Sequence, residues 1–194
     1  MDRRAFFTRG AGKVAHAVTK HAEEKARANS TRWIRPPFAI EELDFLFACT
    51  RCNKCIEACP HDVVFSLSAR LGVKVFNTPA LDLRNKACHM CEDWPCVNAC
   101  DADALKMPPA EEEGDETAKQ EMPRIATAYI DEGACLPYSG PECGACRVCP
   151  VPGAMIWNME KPQIDTEACT GCGLCREACI IEEKAIHLHS KYKS

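Results

Sequence analysis

No stretch of the chain approaches the run of roughly 18 apolar residues that a membrane-crossing helix needs. Its 194 residues contain no G-x-G-x-x-G and no G-x4-G-K-S/T, which excludes the two common phosphate-binding loops. Ser and His residues fall in no nucleophile pattern, so independent catalysis is not expected. Aromatic residues make up only 7% of the chain, and its other apolar residues are too few for a large core. Something other than side-chain packing must fill the centre. The formal net charge is only −4, but it is unevenly spread. Residues 1–35 hold nine Lys/Arg and three Asp/Glu, +6, which leaves 15 minus 25, or −10, for the remainder. An acidic body suits a carrier steered onto basic patches of protein partners, and nucleic acid is not an expected partner.

What the chain does have is 16 cysteines. They fall in four groups of four with no stragglers: Cys49, Cys52, Cys55 and Cys59; Cys88, Cys91, Cys96 and Cys100; Cys135, Cys143, Cys146 and Cys149; Cys169, Cys172, Cys175 and Cys179. A disulfide scaffold would not cluster its thiols two residues apart, and zinc sites usually take cysteines in pairs separated by a long loop. Group IV reads C-x2-C-x2-C-x3-C, the run that holds a cubane 4Fe–4S cluster, and in two-cluster ferredoxins its fourth Cys ligates the neighbouring cube. Gly171 and Gly173 suit the left-handed backbone of a tight wrap. The pattern predicts four 4Fe–4S clusters with all 16 cysteines as ligands. Each oxidised cluster with its thiolates carries about −2, so four take the loaded protein toward about −12.

Group I, Cys49 to Cys59, keeps the full spacing, and Pro60 ends its helix. Group II widens one gap to x4 around Trp94 and Pro95. That insertion reads either as a shield over one face of the cube, which would shift its potential, or as neutral loop variation. His61 and His89 adjoin ligand positions, but complete cysteine sets leave no vacancy for them. Group III has an x7 gap after Cys135 and x2 before Cys149. Two ligand sets fit it: Cys135, Cys143 and Cys146 with Cys149 crossing over, or Cys143, Cys146 and Cys149 with Cys135 as the odd ligand. Neighbouring groups are expected to pair, so that Cys59 serves the second cube and Cys100 the first, with Cys149 and Cys179 likewise exchanged. Pairing of I with IV and II with III is the alternative.

Around the groups, the sequence predicts an α+β fold: tandem bacterial-ferredoxin-like modules of two clusters each, with short hairpins and helices. Residues 1–37 form a basic amphipathic helix (5–28) and a linker; 38–107 the first module; 108–123 an acidic, Pro-rich linker; 124–194 the second module. A short helix is expected over 41–48, and short strands over 73–76, 80–83, 124–130, 154–157, 163–164 and 185–188, the last closing a final hairpin. The Arg3-Arg4 pair has the look of a twin-arginine export signal, but Arg9 and Lys13 interrupt the apolar stretch such a signal needs. A cytoplasmic protein at the membrane face is therefore expected, with a periplasmic one as the alternative.

These marks reach a family. Cys49–Pro60, the x4 gap in Cys88–Cys100, the x7 gap after Cys135, and Cys169–Cys179 with no following Pro resemble the ferredoxin-type proteins of the NapF/NapG/MauM group over residues 33–189. The resemblance implies 4Fe–4S ligation by all 16 cysteines. It also implies a redox protein partner, either a quinol-oxidising membrane subunit or a terminal reductase or dehydrogenase. NapG-type members are exported and work with a membrane partner; NapF-type members stay in the cytoplasm and help mature a reductase. Electron transfer is the expected function, as carrier or subunit of an oxidoreductase. The alternative is an accessory protein that binds a redox enzyme and assists its cofactor loading.

Overall fold

The computed structural model describes residues 18–108 and 122–192. It is a mixed α+β structure of short elements. The helices are α1 (residues 18–30), α2 (Glu42–Ala48), α3 (Lys54–Glu57), α4 (Pro95–Asn98), α5 (Leu136–Ser139) and α6 (Leu174–Ala178). The strands are β1 (Val64–Ser66), β2 (Pro79–Leu81), β3 (Ala126–Ile130), β4 (Met155–Asn158), β5 (Lys161–Ile164) and β6 (Ile186–Ser190). They form three two-stranded antiparallel sheets, β1–β2, β4–β5 and β3–β6. No described helix is long and apolar enough to cross a membrane.

Residues 5–17 of the expected amphipathic helix lie outside the described residues. In α1 the small residues Ala22, Ala26 and Ser30 recur every four positions and so share one face. Ala26 and Ser30 are buried. Arg27 and Glu41 form an exposed ion pair at 2.7 Å, which ties α1 to the start of α2.

Residues 33–37, expected as a linker, are built into the body. Trp33, Arg35, Pro36 and Pro37 are buried, and Ile34 bridges to Leu81 at the edge of β2. Arg35 donates to both carboxylate oxygens of Glu42, at 3.0 and 2.6 Å, and to Thr78 Oγ1 and the Pro79 carbonyl. Trp33 Nε1 also donates to Glu42, at 3.2 Å. A buried charge is tolerated only when paired and fully hydrogen-bonded, and this pair satisfies that condition. It locks the strap, α2 and β2 into one unit.

The expected strand over 73–76 is not there. Gly72 (φ 120) and Asn77 (φ 59) bracket a tight turn, in which the N–H groups of Val75 and Phe76 both donate to the Gly72 carbonyl. Only Val75 of the apolar pair Val73 and Val75 is buried; Val73 points outward. The strand that pairs with β2 is Val64–Ser66 instead, only three residues long and so weak in pattern. The final hairpin also differs. β6 pairs with the distant β3, from Ala126↔Ser190 to Ile130↔Ile186, and not with its sequence neighbour β5.

The largest apolar cluster spans both halves of the chain. It joins Phe45, Val64, Leu83, Trp94 and Leu105 to Ile125 and Ala126, with four cysteines in its midst and three at its edge. Residues 109–121 of the acidic linker lie outside the described residues.

Candidate metal centres

Three of the four groups present their cysteines by one backbone device. In group I, Arg51 (φ 59) and Asn53 (φ 66) are left-handed; in group II, Met90 (φ 52) and Trp94 (φ 43); in group IV, Gly171 (φ 74) and Gly173 (φ 88). The first residue of each pair turns the chain between the first two cysteines. Its N–H bonds to the sulfur of the first: Arg51 to Cys49, Met90 to Cys88, Gly171 to Cys169. The second of each pair caps α3, α4 or α6, which carry Cys55, Cys96 and Cys175. Group III wraps differently. Its x7 loop contains α5, and a 3-10 turn over Ala145–Val148 carries Cys146.

The outcome is four chambers, each lined by four sulfurs. Site 1 has Cys49, Cys52, Cys55 and Cys100. Site 2 has Cys88, Cys91, Cys96 and Cys59. Site 3 has Cys135, Cys143, Cys146 and Cys179. Site 4 has Cys169, Cys172, Cys175 and Cys149. All 16 cysteines are free thiols, each in one chamber. Three come from the local group and the fourth from its neighbour, so group I exchanges with II and III with IV. In group III, Cys149 is the residue that crosses over. The chambers enclose nearly equal atom-free space, about 350, 350, 360 and 310 Å³, part of it open to solvent. Their other lining residues are mostly apolar.

The electrostatics of the chambers ask for a cationic occupant. Burial pushes the thiols of Cys55, Cys88 and Cys146 up to about 11 and those of Cys96 and Cys175 up to about 12, with neighbouring thiolates adding to the rise. Four thiolates cannot share such a space without a compensating positive charge. Among the described residues no three His, Cys, Asp or Glu side chains converge on a point to hold a single ion, as zinc would require. The sulfurs ring a volume instead, which suits a multi-iron core. Thr170 adds a further sign of fit. Its hydroxyl is buried in site 4 without a hydrogen-bond partner, and it stands beside Cys172, where it favours the thiolate. Thr50 does the same for Cys52.

The chambers also stand in a defined order. Cys55 within α3 and Cys59 just past its end belong to sites 1 and 2; Cys96 within α4 and Cys100 just past its end belong to sites 2 and 1. Each pair is separated by about one helical turn, roughly 6 Å along the axis. Cys146 with Cys149, and Cys175 with Cys179, connect sites 3 and 4 in the same way. Between the halves, the Cys88 N–H donates to the Cys172 carbonyl at 2.8 Å, so site 2 abuts site 4. The succession is 1, 2, 4, 3.

Comparison with known proteins agrees with this donor set. A family model described as a 4Fe-4S binding domain matches residues 162–180. The chain is 35% identical over 165 residues to the methylamine utilization ferredoxin-type protein MauM of Methylobacillus flagellatus, covering 80% of this chain and 67% of that protein. It is 34% identical over 177 residues to the ferredoxin-type protein NapG of Escherichia coli, covering 84% and 73%. The chain belongs to the ferredoxin-type 4Fe–4S proteins of the NapG/MauM/NapF family. Not every ferredoxin-type relative is matched as fully: NapG of Haemophilus influenzae is 35% identical, but the chain spans only 58% of its length. No solved structure matches.

The remaining sequence expectations resolve as follows. His61 and His89 stack ring on ring, with centroids 3.7 Å apart, at the edge of site 2, where four cysteines already stand. Trp94 of the widened group II loop is buried, lines site 2 and packs edge-on against Phe38 at 4.9 Å. The buried Arg35–Glu42 pair went unread in the sequence. It stands behind Phe45, over whose ring the Arg35 guanidinium lies at 4.5 Å, and Phe45 lines site 1. A charged residue on each side of Pro36-Pro37, with Trp33 before it, was the only local signal.

Proposed function

We propose that the chain holds four 4Fe–4S clusters, one in each chamber, in two ferredoxin-like modules behind a basic amphipathic helix. In this reading it works as an electron carrier or subunit of a redox system. One observation carries it: four near-equal, four-sulfur chambers stand in an unbroken succession. In each, the cysteines hold the irons, and the left-handed N–H groups and the two threonine hydroxyls steady the sulfurs. Bound clusters would supply one-electron redox chemistry. The chain contributes spacing and shielding from water. The partner expected is a redox protein, either a quinol-oxidising membrane subunit or a terminal reductase or dehydrogenase. The cytoplasmic membrane face is the proposed location, and fractionation of cells producing the full chain tests it.

The test is anaerobic iron and sulfide content, with EPR of the dithionite-reduced protein. About 16 Fe per chain, with spin-coupled signals from neighbouring reduced clusters, is the result expected of four cubes. About 12 Fe, or an isotropic oxidised 3Fe signal, would take one site out of the relay and favour the accessory reading. Zinc without sulfide would refute the proposal. Cys100→Ser, which lies in group II, should alter the signal of site 1 and spare that of site 2.

A further inference from the structure

A relay needs an end at which a partner can approach within tunnelling reach. In the succession 1, 2, 4, 3 the ends are sites 1 and 3, and their surroundings differ in charge. Cys52 of site 1 is the one exposed cysteine among the 16. Three large apolar side chains stand near it in the open: Phe47 at 83% exposed, Val73 at 87% and Phe76 at 49%. Their placement is fixed. Phe47 precedes Cys49 at the end of α2. Arg51, next to Cys52, donates to the carbonyls of Lys74 and Phe76, both at 3.1 Å, and so holds the 72–77 turn against the cluster loop. That turn is the stretch whose apolar pattern suggested a strand; the structure uses it to carry Val73 and Phe76 outward.

Basic residues outnumber acidic ones around this patch: Asp44, one helical turn before Phe47, and Asp101, the partner of Lys54, stand against four cations. Segments 50–54 and 67–77 contain Arg51, Lys54, Arg70 and Lys74 and no acidic residue. Lys54 is paired with Asp101, leaving the others to set the field. At site 3 the sign reverses. Segments 131–144 and 180–184 contain Asp131, Glu132, Glu142, Glu182 and Glu183 against Lys184 alone. Among the described residues, the surroundings are thus mainly basic at the site 1 end of the succession and mainly acidic at the site 3 end.

Resting on the electron-carrier reading, we infer that the face formed by Phe47, Val73 and Phe76 around Cys52 is the docking surface for a redox protein whose own patch is apolar with an acidic rim. An apolar centre within a charged rim is the general form of such an interface: the centre supplies affinity, and the rim supplies steering and orientation. Electron transfer across it is simple to balance. A cluster held by Cys49, Cys52, Cys55 and Cys100 would take one electron from the partner's one-electron centre, which would be oxidised in the same step. No bond forms or breaks, and no proton moves. The acidic end at site 3 is left for a partner of opposite character.

The test uses the full, anaerobically loaded protein and, as probe, an acidic plant-type 2Fe–2S ferredoxin. Binding is measured with both proteins oxidised, so the readout does not depend on electron flow. Wild type should bind at low ionic strength and weaken as salt rises. Lys74→Glu should raise Kd roughly fivefold, mostly through the association rate. Phe47→Ser with Val73→Ser should raise it roughly tenfold. Ile180→Ser and Glu183→Lys, at the other end, should not raise it. All five positions are exposed, and equal iron and sulfide contents will establish that each variant is loaded. No binding by wild type at low salt, or unchanged Kd in the site 1 variants, would overturn the inference. Failure of the electron-carrier reading is seen separately, as samples whose clusters a mediator such as methyl viologen cannot reduce.

Discussion

Group IV turns its chain with Gly171 and Gly173, both left-handed, and hands Cys175 to a regular helical turn. Group III, its partner in cluster exchange, uses neither device. Its Gly144 sits at φ −124, Cys146 rides a 3-10 turn, and a short helix fills the long gap after Cys135. Yet the two chambers are close in size, about 310 and 360 Å³, and each is completed by one sulfur from the other group. What the fold conserves between them is the placement of four sulfurs around a fixed volume, not the loop that achieves it. Group IV is also the more tightly bound to its surroundings. A Cβ on Gly171 would lie 2.1 Å from the Ala126 carbonyl oxygen, whereas the loop of group III lies against solvent at Gly140 and Glu142.

The strongest way to break this comparison is to remove what both groups share. Stripping iron with an anaerobic chelator should unfold the chain, because the chambers are ringed by thiols and lack side chains to fill them. Loss of far-UV circular dichroism in both halves is the expected result; an apoprotein that keeps a cooperative melt would show that side chains alone support the chambers.

Next in size is a pair of alanines that separates the two loops. Gly171→Ala adds a left-handed strain to a clash with backbone, and about 4 kcal/mol of destabilisation is expected, enough to lose the site. Gly144→Ala meets only the flexible Arg147 side chain, at 3.2 Å, and should stay within about 0.5 kcal/mol of wild type. Iron content and thermal melts of the two variants decide the matter; equal losses would mean that both loops depend on backbone fit.

Glu42→Gln extends the comparison to site 1, which is braced from behind. It leaves Arg35 buried and uncompensated at a cost of about 3 kcal/mol. Denaturant melts should register this loss, and melts like those of wild type would show the strap to be held by packing alone. The smallest effect concerns the threonines that groups I and IV have and group III lacks. Thr170→Val removes the hydroxyl that stands beside Cys172 and favours its thiolate; a loss of about 1 kcal/mol would, for one electron, lower the potential of site 4 by about 40 mV. Redox titration by EPR measures it, and an unmoved midpoint would assign Thr170 to packing.

Much of this could be read in the residues. The ligand count, the expectation that Cys59, Cys100, Cys149 and Cys179 cross over, and the left-handed role of Gly171 and Gly173 all rest on spacings of a few residues, where backbone geometry leaves little choice. The helix at Glu42–Ala48 and the strands β4 and β5 were legible for the same reason. The failures were of two kinds. Val73–Phe76 looks like a strand because apolar residues alternate there, but Gly72 and Asn77 close it into a turn and its side chains face solvent. Arg35 and Glu42 look like surface charges because nothing local says that they are buried together.

By itself, then, the sequence determined the four cysteine groups and their fitness for iron–sulfur clusters, because each group gathers its thiols within 11 to 15 residues. The tertiary structure decided that groups I and II, and III and IV, complete each other's chambers rather than I with IV and II with III, and it alone decided that β6 pairs with β3, that site 2 abuts site 4, and which ends of the succession meet solvent. The β3–β6 pairing and the contact of site 2 with site 4 join residues 56 to 84 positions apart, and they depend on how whole surfaces pack, a balance no local spacing encodes.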